Sequence, residues 1–256
     1  MISSIDHVVI LVEDLDRGIQ QYRDLGFTVI PGGKHPRFTH NALVSFADGS
    51  YLELIAFWET TDPAAPDVHR WQKHLEHGGG LIDFALAVAP LEEGVAAIAS
   101  RGIAVDGPYP GARSRPDGVQ VAWKGAAPAE KQPGSLPFMI EDVTERSVRV
   151  PGGEAVIHAN GVRGIQTLTI VVGDSAEAGR RYAAMLGTQG EPSASGTRFQ
   201  IGPHQVVLLQ PEAGSAAAAQ LAQRGDSLFE LTFVGDNDAV YGPDVAGNAR
   251  LRVVAG

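Results

Sequence analysis

A histidine stands near the start of an apolar, β-branched run, Ser4-Ile5-Asp6-His7-Val8-Val9-Ile10-Leu11-Val12. Burying an imidazole in a strand is costly unless its ring nitrogens find partners or a metal. His7 is therefore the first residue whose position asks for chemistry. Alternate strand residues share a face, so Ile5, His7, Val9 and Leu11 are expected to point together, into a cleft. His35 and His40 follow the Pro31-Gly32-Gly33 stretch and could serve there as acid–base or substrate-binding groups; the alternative is a pair of loop histidines. Arg115 and Asp117 could form an anion clamp, although Asp117-Gly118 already reads as a turn. Trp123 reads as core or cleft wall. His69, His74 and His77 read as exposed residues of a short amphipathic helix, and His158 and His204 lie in turn-rich sequence without a chemical assignment. With no cysteine in the chain, thiolate metal sites, disulfides and a cysteine nucleophile are all excluded. No Gly-x-Ser-x-Gly, phosphate-loop or dinucleotide signature is present.

The composition narrows the partners. Twenty basic against thirty acidic residues give a formal charge of −10, which argues against nucleic acid and anionic membrane surfaces. No run approaches the ~18 apolar residues of a membrane span, and no secretory signal is read. A cytoplasmic protein acting on a small molecule is the expectation.

The elements that must position these residues repeat. Strand Ile5–Val12 leads to a helix capped by Asp14, with Leu15, Ile19, Tyr22 and Leu25 on one face and Gly26 as the stop. Phe27–Ile30 reads as a strand closed by Pro31-Gly32-Gly33, and Asn41–Phe46 with Tyr51–Phe57 as a hairpin around Asp48-Gly49. The order β-α-β-β-β recurs: strand Leu81–Val88, a helix after Pro90 ending at Gly102, strand Ile103–Val105, then Gly118–Trp123 and Leu136–Val143, the last two separated by a loop over 125–135. A third start runs from Gly164–Val172, with Asp174 as N-cap and Ala178, Tyr182 and Met185 as the helix stripe. Thr197–Ile201 and Gln205–Gln210 close it. A fourth, from Leu228–Val234 to Arg250–Val254, has no room for a full unit. The expected fold is α+β, with repeated βαβββ modules forming curved mixed sheets around a cleft and helices on the outer face. Residues 1–150 should hold two paired modules, 1–60 and 79–150, joined by a connector at 61–78. Residues 151–256 should hold the third module and the abbreviated fourth.

A paired βαβββ repeat whose first strand reads Ile-Asp-His and whose fourth reads Tyr-Leu-Glu-Leu-Ile resembles the vicinal oxygen chelate superfamily. Pro31-Gly32-Gly33-Lys34-His35-Pro36, Thr39-His40-Asn41-Ala42-Leu43, Arg115-Pro116-Asp117-Gly118 and Leu136-Pro137-Phe138-Met139-Ile140 are more narrowly similar to its glyoxalase-like domain group. The resemblance is good over about the first 150 residues and degenerate beyond. It implies a divalent metal (Mn, Ni, Fe, Zn or Mg) in the cleft, held by His7, Glu53, Asp83 and Glu141. His35, His40, Arg115 and Trp123 would bind substrate. It further implies an isomerase or lyase that chelates neighbouring oxygens and stabilises an enolate-like intermediate, with Glu141 or Glu53 moving the proton. Asp83 stands where relatives commonly place histidine, which counts against an extradiol-type dioxygenase. The alternative is a metal-free binding or sequestering protein of the bleomycin-resistance type, and a homodimer is compatible with either. In the third module Thr167 falls under His7 and Val207 near Glu53, so no metal site is expected there.

Overall fold

The computed structural model describes residues 1–65, 68–130, 135–193 and 196–256, so residues 131–134 of the expected 125–135 loop lie outside the described residues. Strand β1 (Ile2–Leu11) leads into α1 (Leu15–Asp24), whose N-cap Asp14 accepts a hydrogen bond from the Arg17 amide. Three strands follow: β2 (Ile30–Lys34), β3 (Thr39–Ser45) and β4 (Tyr51–Phe57). The second unit runs β5 (Gly80–Val88), α2 (Leu91–Ser100), β6 (Val105–Ser114), β7 (Gln120–Pro128) and β8 (Phe138–Asp142). These eight strands close into a barrel in the order β1-β4-β3-β2-β6-β7-β8-β5. The closure is lopsided. Strand β1 pairs with β5 along most of both strands, whereas β2 meets β6 only at Lys34–Ser114.

After the short helix α3 (Arg146–Arg149) comes a second, open sheet. It holds β9 (Val162–Val171), β10 (Glu191–Ser193), β11 (Gly196–Ile201), β12 (His204–Leu209), β13 (Ser227–Gly235), β14 (Ala239–Tyr241) and β15 (Leu251–Ala255). Helix α4 (Ser175–Leu186) follows β9, while α5 (Ala216–Arg224) precedes β13. The fold is α+β, with curved mixed sheets and few helices, as the repeat predicts. Val207 pairs with Thr169 in the register by which Glu53 pairs with Val9, so the third unit carries an apolar residue at that place.

One core joins the two sheets. Outward residues of the barrel (Val8, Ile10, Leu52, Leu54, Phe84) cluster with Leu168, Ile170, Leu208, Leu231 and Phe233 of the open sheet. Phe27 and Phe46 pack on Phe233 at ring distances of 5.8 and 5.3 Å. Two histidines bridge the same boundary. His158 Nδ1 accepts the Thr28 N–H and its Nε2 meets the Ser45 carbonyl, both at 3.0 Å. His204 Nδ1 accepts the Ile5 N–H at 3.0 Å, with Asp48 Oδ2 3.3 Å from Nε2. Turn-rich sequence had concealed both.

Several sequence readings are corrected. Pro31-Gly32-Gly33 does not close a strand; it lies within β2, where a bulge between Pro31 and Gly33 absorbs the irregularity. Gly32 is required there by packing, since a Cβ would meet Asn41 Oδ1, Leu43 Cδ1 and, at 2.7 Å, Arg113 Nη1. Gly107-Pro108 likewise sits inside β6, at a bulge between Asp106 and Tyr109. His74 is buried in the 3-10 turn Gln72–His77, and His69 and His77 are half-buried, so none of the three is the exposed residue expected. Ile5 does not share a face with His7. A register shift in the β1–β5 pairing between Ile5 and His7 sends Ile5 to the outer core.

Candidate active site

The barrel encloses a cavity of about 450 Å³ lined by His7, His35, Asn41, Glu53, Arg70 and Trp123, among others. Strand alternation chooses these residues. Thr39 and Asn41 of β3 face inward, so His40 between them faces out and does not line the cavity. On β4, Tyr51, Glu53 and Ile55 face in. The bulge beside His7 has a second effect. It frees Asp6 from the ladder and turns its carboxylate toward His7, whose Nδ1 lies 2.7 Å from Asp6 Oδ1.

Asp6 is 1 % exposed, and Arg149, 2 % exposed, grips it with Nη1 and Nη2 at 2.9 and 2.8 Å. Burial pushes the Asp6 carboxyl up, but Arg149 and the His7 hydrogen bond outweigh it and hold the group well below the usual carboxylate range. Asp6 is thus an anion and can only accept. His7 Nδ1 must carry the proton it donates, leaving Nε2 as the basic nitrogen. That Nε2 lies 3.6 Å from Glu53 Oε2. The imidazole is fixed by stacking on Tyr51 at 4.6 Å and by the edge of Phe138 at 5.3 Å.

Glu53 is itself oriented. Asn41 Nδ2 donates to Oε1 at 2.6 Å, and His35 Nε2 stands 3.8 Å from the same oxygen. His35 is braced by Thr39 Oγ1 at 2.9 Å and by the Trp123 ring. Burial pushes the His35 pKa down and takes that of His69 to about 4, so both present neutral rings at pH 7. Arg113, on the far side of Asn41, donates to the Arg149 carbonyl; its buried Nη1 and the buried Asn41 Oδ1 have no hydrogen-bond partner among the described residues.

The four expected metal donors do not assemble. His7 and Glu53 come together. Asp83 is nearby on β5, one step diagonal to His7, but its oxygens are taken: Trp71 Nε1 and Arg70 Nη2 each lie 2.8 Å from Oδ2, and the Phe84 amide 2.9 Å from Oδ1. Burial pushes its carboxyl above the usual carboxylate range, and Arg70 and Trp71 offset this only in part. Glu141 is outside the cavity altogether. It sits one step out of phase with the inward residues of β8, accepts the Leu91 amide at 3.1 Å and lies 3.6 Å from Lys124 Nζ. Helix α2 begins after Pro90, which offers no capping side chain, and Glu141 caps it instead. The residue at the register of Glu53 in the second unit is Phe138, since Phe138 pairs with Ala85 as Glu53 pairs with Val9. Among the described residues no three His, Asp or Glu side chains converge as a group able to hold an ion. The four-donor set that the resemblance implies is not formed; beside His7 and Glu53 stands His35, not Asp83 or Glu141.

Of the residues expected to bind substrate, His35 and Trp123 line the cavity. Arg115 does not: it lines a smaller cavity of about 250 Å³ and pairs with Asp117 at 2.7 Å. The sequence reading missed Asp6, Asn41, Arg70, Trp71 and Arg149. Asp6 carried a legible signal, a carboxylate beside a strand histidine; Arg149 and Arg70 come from connecting segments that no periodicity locates.

The paired barrel and inward-facing cavity define a class before any family. Among solved structures, a hypothetical protein from Staphylococcus aureus superposes with a TM-score of 0.78 at 13% identity, covering 98% of this chain and 99% of that one. A mutant of 4-hydroxymandelate synthase from Streptomyces coelicolor gives 0.62 at 12% identity, over 100% of this chain and 93% of that one. A xylose isomerase-like TIM barrel/4-hydroxyphenylpyruvate dioxygenase fusion protein gives 0.58 at 11% identity, over 100% of this chain and 49% of that one. These likenesses establish the vicinal oxygen chelate fold. A search of curated proteins finds no match. The glyoxalase-like domain model matches residues 5–186, and the chain belongs to that family. No helix among the described residues is long and apolar enough to cross a membrane.

Proposed function

We propose that the chain is an isomerase- or lyase-type enzyme that moves a proton at a carbon next to a carbonyl of a small substrate. The observation that supports this is the line Asp6–His7–Glu53: an anion fixes the imidazole tautomer, and the basic Nε2 and an oriented carboxylate meet at the cavity wall. His7 takes the proton, Asp6 offsets the imidazolium that forms, and Glu53 holds or returns the proton. The finer expectation of a chelating metal finds no matching donor set here, so no step is routed through one. A second reading, capture of a small planar ligand without turnover, has support from the aromatic walls: Trp71, Trp123, Tyr109 and Phe138 all line the cavity.

Deuterium uptake separates the two. Purified protein is incubated in D₂O with a panel of small ketones, aldehydes and keto acids, and exchange at the α-carbon is followed by NMR. Proton-transfer catalysis predicts exchange with some member of the panel, reduced about 10²-fold or more in His7→Gln and Glu53→Gln. Binding without exchange in the wild type favours capture. Exchange that both variants retain overturns the assignment.

A further inference from the structure

The two units of the barrel hold equivalent positions, and they use them differently. His7 and Asp83 each stand eight residues before the first helical residue of their unit, Leu15 and Leu91. Glu53 and Phe138 each pair with the strand residue two further on, Val9 and Ala85. In the first unit these two positions carry the proton-moving pair. In the second unit both are spent on one side chain. Asp83 Oδ2 lies 2.8 Å from Arg70 Nη2, and the Phe138 ring lies under the same guanidinium, 4.9 Å from its carbon, with the Trp71 ring at 5.0 Å. A guanidinium between a buried carboxylate and two aromatic faces is fixed in place and keeps its charge. Its side chain is 30 % exposed and lines the cavity, so a bound molecule reaches it. The other arginines there differ: Arg149 is consumed by Asp6 and Asp142, the Arg113 Nη1 is enclosed by protein, and Arg37 is exposed, with its guanidinium over the Phe38 ring at 4.7 Å.

We propose that Arg70 is the resident cation of this site and receives the substrate oxygen on which negative charge develops. The inference rests on the proton-transfer reading. As the C–H bond breaks, its proton passes to His7 Nε2 and its electron pair moves into the carbonyl, giving an enolate oxygen. The Arg70 N–H groups hydrogen-bond that oxygen, and return of the proton to carbon restores a neutral carbonyl. The chemistry needs no external oxidant or reductant. The substrate class follows: a small carbonyl compound whose enolate or enediolate is planar and anionic.

Oxalate, a planar dianion with neighbouring oxygens, is the probe, and oxamide its uncharged match. Titration calorimetry on metal-stripped protein should show oxalate binding at least about tenfold tighter than oxamide. Arg70→Met should abolish that preference, Arg70→Lys should keep part of it, and Arg115→Met, outside the cavity, should leave it intact. Equal binding of the two probes, unaltered oxalate binding in Arg70→Met, or oxalate binding that appears only on adding Mn²⁺ overturns the proposal. Arg37→Met, at the other accessible arginine of the cavity, should keep the preference, and its loss there instead of in the Arg70 variants overturns the proposal; Arg70→Lys carries the test if Arg70→Met fails to fold. Oxalate bound through Arg70 without deuterium exchange would remove the proton-transfer reading and leave the resident cation standing. Exchange that depends on His7 but survives in Arg70→Met would do the reverse.

Discussion

Asp6 and His7 are adjacent in sequence, and regular strand geometry would send their side chains to opposite faces. One bulge cancels that rule and makes a dyad of them. The carboxylate facing the dyad, Glu53, depends in turn on a glycine. Gly32 leaves the space that Asn41 Oδ1 and the end of Arg113 occupy, and Asn41 orients Glu53. Gly32→Ala is expected to cost about 1–3 kcal/mol in urea denaturation through overpacking. It should also lower any exchange activity further than the stability loss explains, because Asn41 must shift off Glu53. An alanine variant with wild-type stability and activity would show that the space is slack. His7 and Glu53 were legible from sequence because an imidazole and a carboxylate in apolar strands are costly without partners. Asp83 was legible as a buried carboxylate but not as the partner of Arg70, since ion pairs between distant segments leave no periodic trace. Glu141 misled because a three-residue error in register along a strand reverses the face.

At the scale of elements, the boundary between barrel and open sheet is stapled by histidines acting as main-chain partners. His158 satisfies Thr28 and Ser45 only as the neutral ring with its proton on Nε2, because Nδ1 must accept. Burial pushes its pKa down, against the pull of the Ser45 carbonyl, and takes His74 to about 4. For such a group the unfolded chain binds more protons below its ordinary pKa of about 6.5. Stability contributed by the neutral ring is therefore full above about 6.5 and is lost as pH falls toward the folded-state value. Urea midpoints should drop between pH 7 and pH 5. His158→Leu, leaving the Thr28 amide and Ser45 carbonyl unpaired, should be weaker by about 2 kcal/mol or more at pH 7 and show a shallower pH slope. An unchanged slope would place the acid sensitivity elsewhere. The succession of elements along the chain was readable because the β-α-β-β-β repeat fixes it. The glycine-containing strands β2 and β6 and the alanine-rich α5 were not, since bulges hide the strands' alternation and a run of alanines has no amphipathic face.

The main hydrophobic core among the described residues is shared, the barrel and the open sheet both contributing aromatic and aliphatic side chains to it. Dividing the chain near residue 150 would strip Phe27, Phe46 and their aliphatic neighbours of cover, each large side chain being worth roughly 1.5–3 kcal/mol of burial. The full chain should accordingly unfold in one transition, with tryptophan fluorescence and far-ultraviolet circular dichroism coinciding. All three tryptophans, Trp58, Trp71 and Trp123, lie in the first half, so an independently melting second half would separate the two signals and refute the single unit. The charge pattern fits the same picture: a chain of net −10 concentrates arginines around one internal cavity, where long-range repulsion of anions from the surface is answered locally.

The unlike use of equivalent positions in the two units has a stereochemical consequence. Two identical halves would let a bound molecule sit in either of two equivalent orientations, with the same groups met each way. Here the base comes from the first unit, and the guanidinium is held by Asp83 and Phe138 of the second. A molecule whose oxygen rests on Arg70 can offer only one of its two faces to His7. The barrel is pseudo-symmetric in its backbone and asymmetric in its chemistry, and a prochiral CH₂ held in it would surrender one hydrogen and keep the other.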